Sequence, residues 1–156
     1  MKKLPRFTHE RRQEDSWSCG AVASAVALEI VGFDPVAASE TVRAGLAVTP
    51  LDGVDPRTIE AFFRRFGLGV QSGDMDASDL VHHCSIGRPV IALITFDSVG
   101  HWVVVYAANS RMISYHCPVR GLVRESVSKF RNQWRDFGRC GTAYQGFGVA
   151  VIRGKA

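Results

Sequence analysis

The clearest candidate for chemistry in this chain is Cys19, which is followed by Gly20 and by a run of small apolar residues over positions 21–28. Such a run predicts a helix that begins at the cysteine. In a first helical turn, the unpaired N–H groups and the positive end of the helix dipole favour a thiolate over a thiol. We therefore interpret Cys19 as a candidate nucleophile. The alternative is a buried structural cysteine, since free cysteines are common in protein cores.

Gln13 is the second candidate, because five residues lie between it and Cys19. A glutamine side chain and the backbone N–H of the nucleophile are two hydrogen-bond donors that can converge on one oxygen atom. Together they would form an oxyanion hole for an attacked carbonyl group.

His101 is the candidate general base. It follows Gly100 and precedes the apolar, β-branched run 102–105, which predicts a strand that fixes the position of the imidazole. Cysteine and histidine partners in catalysis are usually far apart in sequence, and about 80 residues separate these two. The alternative is a histidine at a strand end with a purely structural role.

The elements that must position these residues change type along the chain. Apolar residues recur at helical spacing from Gly20 to about His83, as in Ile59, Phe62 and Phe66. From Pro89 onward the pattern predicts short strands, at 89–96, 101–107, 112–115, 122–126 and 146–152, with a helix at 128–137. The sequence therefore predicts one α+β domain over 1–156, with a helical lobe at about 13–85, an antiparallel sheet lobe at about 88–153, and the site between them.

These residues together resemble the papain-like cysteine peptidases that remove double-glycine leaders from bacteriocins, and the stand-alone bacterial relatives of those enzymes. The resemblance rests on Gln13, five residues and Cys19-Gly20, and on Gly100-His101 followed by valines. It implies the papain-like fold, helices near 20–31, 35–46, 57–66 and 77–83, a strand that starts at 67–70 and another at 87–94.

The chain departs from that family at one position. Downstream of the histidine the family carries Asp followed by Pro, and this chain has Cys117 followed by Pro118. A neutral thiol is a poor acceptor for an imidazole N–H, so the third catalytic member is open. Cys117 itself is one candidate, and the others are Asn109, Asp97 and His116.

Three residues next to the nucleophile and the base are candidate substrate contacts. They are Trp17, Gly100 and Trp102. Trp17 would equally suit packing between the two lobes.

Length and composition indicate a reduced, cytoplasmic protein. A chain of 156 residues buries enough surface to fold without crosslinks, and its four cysteines have no disulfide-like spacing. The basic N-terminus lacks the apolar core of a secretory signal. No run reaches the roughly 18 apolar residues that a membrane span requires.

The net charge of +4 is typical of a solvated basic surface, and no motif with interleaved aromatics predicts a nucleic-acid partner. His82-His83-Cys84 has the wrong spacing for a zinc site. The sequence therefore predicts neither a metal nor a cofactor, and leaves the oligomeric state open.

The first functional hypothesis is a cysteine peptidase that cleaves a peptide or protein substrate through a thioester intermediate. The resemblance implies small residues such as Gly-Gly before the cleaved bond. Glutamine deamidation or acyl transfer would use the same cysteine and histidine. The hypothesis from another class is a non-catalytic peptide-binding module that retains the fold.

Overall fold

Short polar side chains determine where most of the helices begin. In the computed structural model, which describes residues 5–15, 18–46, 48, 54–96, 99–137 and 143–154, Asp34 accepts from the backbone N–H of Ala37 and Asp55 from that of Thr58. These bonds satisfy N–H groups that an open helix end leaves unpaired. The helices are α1 (Cys19–Ile30), α2 (Pro35–Gly45), α3 (Pro56–Arg65), α4 (Ala77–Ser85) and α5 (Val127–Gln133).

The start of α1 differs from the others. Within the described residues, its N-cap Ser18 makes no side-chain capping bond. The first N–H groups of α1 are therefore not satisfied by a cap, and the Cys19 side chain lies among them.

Within the described residues, six strands form one antiparallel sheet in the order β1-β8-β2-β3-β4-β5. The β-branched runs of the sequence supply the central strands, as their packing preferences predict. The strands are β1 (Gly69–Asp74), β2 (Val90–Phe96), β3 (Val99–Ala108), β4 (Met112–Cys117), β5 (Gly121–Ser126) and β8 (Phe147–Ile152). The predicted α+β class and antiparallel sheet are confirmed.

The predicted helix at 128–137 is wrong in its second half. Helix α5 ends at Gln133, and strand β6 (Arg135–Phe137) follows and pairs with β7 (Ala143–Gln145) in a two-stranded sheet. The pairing with a later segment outweighs the local helical pattern, as tertiary context often does.

The sheet divides the core into two clusters. On one face, Leu93, Trp102 and Val104 pack with side chains of α1 to α3. On the other face, Ile94, Val103 and Cys117 pack with Leu80 of α4 and with Phe130 and Trp134 of the α5 region. This alternation follows from the two-residue period of a strand, so it assigns each side chain of β3 to a face.

An N-terminal strap, residues 5–15, crosses the ends of α1 and β4. The buried carboxylate of Glu29 on α1 accepts from the side chain and backbone N–H of Thr8 and pairs with the Arg11 guanidinium at 2.5 Å. Further along, the backbone N–H of Gln13 donates to Pro118 O at 3.0 Å. The strap thus brings Gln13 to the turn that follows Cys117.

None of the helices in the described part of the chain is both long and apolar enough to cross a lipid bilayer.

His116 on β4 generates a test of the strap. It is fully buried, its Nε2 lies 3.4 Å from the Arg12 guanidinium, and burial together with that charge lowers its pKa to about 4. The unfolded chain therefore binds a proton between pH 6.5 and 4 that the folded chain does not, so stability falls as the pH falls through that window. We expect this group to contribute a loss of about 3 kcal/mol by pH 4.

Urea unfolding at pH 7 and pH 4 measures this loss in the wild type, in His116→Gln and in a control, His82→Gln, at an exposed histidine of α4. The His116→Gln protein should lose markedly less stability than the other two. Equal losses in all three proteins would contradict the assignment.

Candidate active site

The first turn of α1 lies directly against β3 because residue 20 has no side chain. A Cβ on Gly20 would lie 2.9 Å from Val54 Cβ and 3.2 Å from Trp102 Cδ1. The Trp102 indole is in turn held by a hydrogen bond of 2.9 Å from Nε1 to Val54 O. This close approach brings the Cys19 thiol to the main chain of β3, next to His101.

Three backbone N–H groups surround the thiol, those of Trp102, Gly20 and Cys19 itself, and each favours the thiolate. Burial acts in the opposite direction and is the larger effect, so the pKa of Cys19 is raised above its ordinary value. The expectation that the helix start produces a thiolate is therefore wrong for the free protein. A raised pKa makes a base that accepts the thiol proton more important for any attack by Cys19.

His101 lies opposite Ile94 in the pairing of β3 with β2, and Ile94 belongs to the cluster on the α4 and α5 face. Its ring contacts the Phe96 ring, with centroids 5.8 Å apart. The pairing of β3 with β4 begins at Val104, so His101 and Trp102 lie beyond it, at the end of β3 that Cys19 approaches.

Cys117 is on the same face of the sheet as His101, since it packs in the cluster of Ile94. It is fully buried and close enough to Cys19 to influence its charge. Of the described candidates for the third member, Cys117 alone combines the correct face with proximity to Cys19.

The other candidates lie elsewhere. Asn109 follows the last residue of β3, about 26 Å from His101 along the strand, and its side chain closes the next turn by accepting from the N–H groups of Arg111 and Met112. His116 pairs with Val104 and so lies on the opposite face from His101. The structure therefore does not bring Asn109 or His116 to His101 on its face of the sheet, and Asp97 lies outside the described residues.

The Gln13 amide lies in the segment that leads into α1. Its Nε2 donates to Asp15 O at 2.5 Å, and its Oε1 is buried without a hydrogen-bond partner among the described residues. A buried amide oxygen without a partner is uncommon, because it costs free energy. The side chain is therefore held by its one bond and by packing, close to the turn at Pro118.

The three predicted substrate contacts have different environments or lie outside the described part of the chain. The Trp102 indole is only 3% exposed, so it supports α1 and cannot offer a surface to a substrate; its backbone N–H is what reaches the site. Gly100 is half-buried on β3 opposite Thr95. Trp17 lies outside the described residues.

Sequence reasoning missed Phe96 and Arg120. Phe96 contacts the His101 ring, and the Arg120 guanidinium lies 4.0 Å from the centroid of the Phe96 ring. An arginine after a proline turn carries no local signal of such a role. These contacts can be predicted only when the pairing register of β2, β3 and β4 is known.

Among the described residues, no group of three or more histidine, cysteine or acidic side chains is arranged to hold a metal ion.

Comparison with known proteins agrees with this geometry. The model of the Peptidase C39 family matches residues 8–138. A double glycine motif protease from an AMS/PCAT transporter, solved in complex with the leader peptide, is 19% identical with a TM-score of 0.67, over 97% of this chain and 92% of that one. The peptidase domain of Streptococcus ComA, a bifunctional ABC transporter of a quorum-sensing pathway, is 17% identical with a TM-score of 0.69, over 90% and 95%.

The peptidase domain of Streptococcus mutans ComA, in complex with a small-molecule inhibitor, is 16% identical with a TM-score of 0.63, over 97% of this chain and 99% of that one. At these identities the likeness shows a shared fold, and the predicted papain-like fold is confirmed. Curated protein sequences give no match.

The raised pKa of Cys19 predicts how the thiol reacts in the free protein. Because only the thiolate is alkylated, the rate with iodoacetamide should still increase above the pH at which an ordinary cysteine reaches its plateau. Peptide mapping by mass spectrometry follows Cys19 separately from the other cysteines, and the same protein in urea gives the reference. A midpoint lower in the folded protein than in urea would contradict the dominance of burial.

Proposed function

Because the chain belongs to the Peptidase C39 family, we propose that it is a cysteine peptidase that cleaves a peptide amide bond with Cys19 and His101. The observation that carries the proposal is the contact of the Cys19 thiol with the backbone N–H of Trp102, the residue next to His101. The candidate nucleophile on α1 thus contacts the residue next to the candidate base on β3, which supports a Cys–His pair drawn from two different elements.

Because burial raises the pKa of Cys19, its proton is removed during the attack on the amide rather than before it. As the amide carbon approaches, His101 accepts the Cys19 proton and the sulfur forms a bond to that carbon. The C–N bond then breaks, His101 returns the proton to the leaving amine, and a thioester remains on Cys19. Water, deprotonated by His101, hydrolyses the thioester to a carboxylate and regenerates the thiol.

The charge that develops on the carbonyl oxygen is stabilised by two donors, the N–H of Cys19 and the side-chain amide of Gln13. The absence of a capping side chain on α1 supports this role for the Cys19 N–H. The Gln13 amide has a second N–H besides the one given to Asp15. Main-chain anchoring at Pro118 fixes the segment that carries this amide beside the turn after Cys117.

The substrate that we propose is a peptide with two glycines before the cleaved bond. The relative solved with a leader peptide, a double glycine motif protease, supports this substrate class. So do two apolar side chains that remain exposed near the site, Val99 at the start of β3 (51%) and Val119 after Pro118 (47%). A peptide would cover them on binding, which is favourable.

The direct test is cleavage of synthetic peptides with and without Gly-Gly before the target bond, followed by mass spectrometry. Cys19→Ala should abolish cleavage, whereas Cys84→Ala, at a cysteine of α4, should leave it unchanged. Cleavage that survives in Cys19→Ala would refute the proposal. Release of ammonia from glutamine peptides without chain cleavage would show a deamidase instead.

The role of Gln13 can be separated from folding. If its amide donates to the oxyanion, Gln13→Ala should lower kcat by about 10²- to 10³-fold while the melting temperature changes little. The matched control is Gln71→Ala at an exposed position of β1, which should affect neither quantity. A Gln13→Ala protein that melts early yet keeps its kcat per folded molecule would show a structural role.

A further inference from the structure

The face of the sheet that carries His101 also carries a chain of contacts that ends at its ring. Phe96 ends β2 and lies diagonally across from His101, with ring centroids 5.8 Å apart and planes inclined at 54°. An imidazole of a base must be held in one orientation, because a displacement of about 1 Å at a reacting group can lower the rate about 100-fold.

Arg120 also contacts the Phe96 ring. Its guanidinium carbon lies 4.0 Å from the centroid of the Phe96 ring, which is a close cation–π contact. A planar guanidinium can stack flat on an aromatic ring. The ammonium group of a lysine has no flat face and cannot stack in this way. The Phe96 ring therefore contacts both Arg120 and His101.

Three buried groups fix Arg120 in turn. Its Nη2 donates to Tyr115 Oη at 2.8 Å, and that hydroxyl donates to the buried Glu125 carboxylate at 2.7 Å. The guanidinium also bonds to the Cys117 side chain; burial alone would lower the pKa of Arg120, but Tyr115 and Cys117 raise it overall. The cation is thus permanent and anchored at its far end.

One group in this arrangement, the Nε–H of Arg120, lowers the stability of the fold. Within the described residues, Arg120 Nε is buried without a hydrogen-bond partner. Leaving a buried donor unpaired costs about 1 to 3 kcal/mol. The guanidinium is oriented by the Phe96 ring and the Tyr115 hydroxyl, and the Nε–H is left unsatisfied. Residues held against such a cost often serve a site.

We propose that Arg120 is a positioning residue of the peptidase reaction, which holds the His101 imidazole through the Phe96 ring and contacts Cys117 where related enzymes carry an orienting carboxylate. This inference rests on the proposed function. It assigns the orientation of the base to a stack of rings and a guanidinium, in addition to any acceptor for the imidazole N–H.

The test compares Arg120→Met and Arg120→Lys with a control, Arg124→Met, at an exposed arginine of β5. With a Gly-Gly peptide that the wild type cleaves, we expect Arg120→Met to lower kcat about 10- to 100-fold at nearly unchanged KM and melting temperature. Arg120→Lys should lose an intermediate amount, because it keeps the charge without the flat face. The control should match the wild type.

A second measurement does not depend on turnover. Carbon relaxation of the labelled His101 ring, assigned by the peak that is lost in His101→Gln, should show a ring that is ordered in the wild type and mobile in Arg120→Met.

Three results would overturn the proposal: a raised KM at constant kcat, which would make Arg120 a substrate contact; a kcat that is unchanged per folded molecule; or an unchanged His101 ring. Should the wild type cleave no peptide, the proposed function fails, and the relaxation measurement still decides whether Arg120 orders the ring.

Discussion

The candidate site depends on the distance between the first turn of α1 and strand β3. Any side chain at position 20 would collide with Val54, whose position is linked to Trp102 by the hydrogen bond to its carbonyl oxygen. With glycine there, the thiol of Cys19 reaches the backbone of β3. The same contact buries the thiol, so the feature that brings the candidate nucleophile to β3 also raises its pKa.

A second constraint links the N-terminal strap to the rest of the site. Glu29 is buried on α1, and Thr8 and Arg11 satisfy its carboxylate. Loss of one partner of a buried ion pair typically costs about 3 to 5 kcal/mol, so the strap has one strongly preferred position on α1. That position determines where Gln13, the proposed oxyanion donor, meets Pro118 in the turn beside Cys117.

The sequence predicted the parts of this site that have local signals. Cys19 and His101 could be selected as candidates because a cysteine at a helix start and a histidine at a strand start are chemically specific, and the structure places them at the start of α1 and near the start of β3. The helices near 35–46 and 57–66 were implied by the family resemblance, and in the structure aspartate side chains cap their starts. The α+β class followed from the change in apolar period.

The rest depended on which segments pack together. The sign of the Cys19 pKa shift is set by burial under the sheet, and the helix start alone gives the opposite sign. Asn109 and His116 were excluded only by strand length and by the face that each side chain occupies. The role of Arg120 could be inferred only from the pairing of β2 with β3 and from the turn after β4. Its contact with Phe96 joins residues that are far apart in sequence.

In the proposed reaction, Cys19 forms a thioester with the acyl part of a peptide, while His101 accepts the thiol proton and returns it to the leaving amine. A peptide thioester or activated ester that ends in Gly-Gly, mixed with the protein and quenched with acid within seconds, tests this directly by intact mass and peptide mapping. The account predicts a mass increase equal to the acyl group, located on Cys19, and strongly reduced in His101→Gln. An adduct on Cys84 or Cys117 instead, or equal acylation of Cys19 with and without His101, would contradict it.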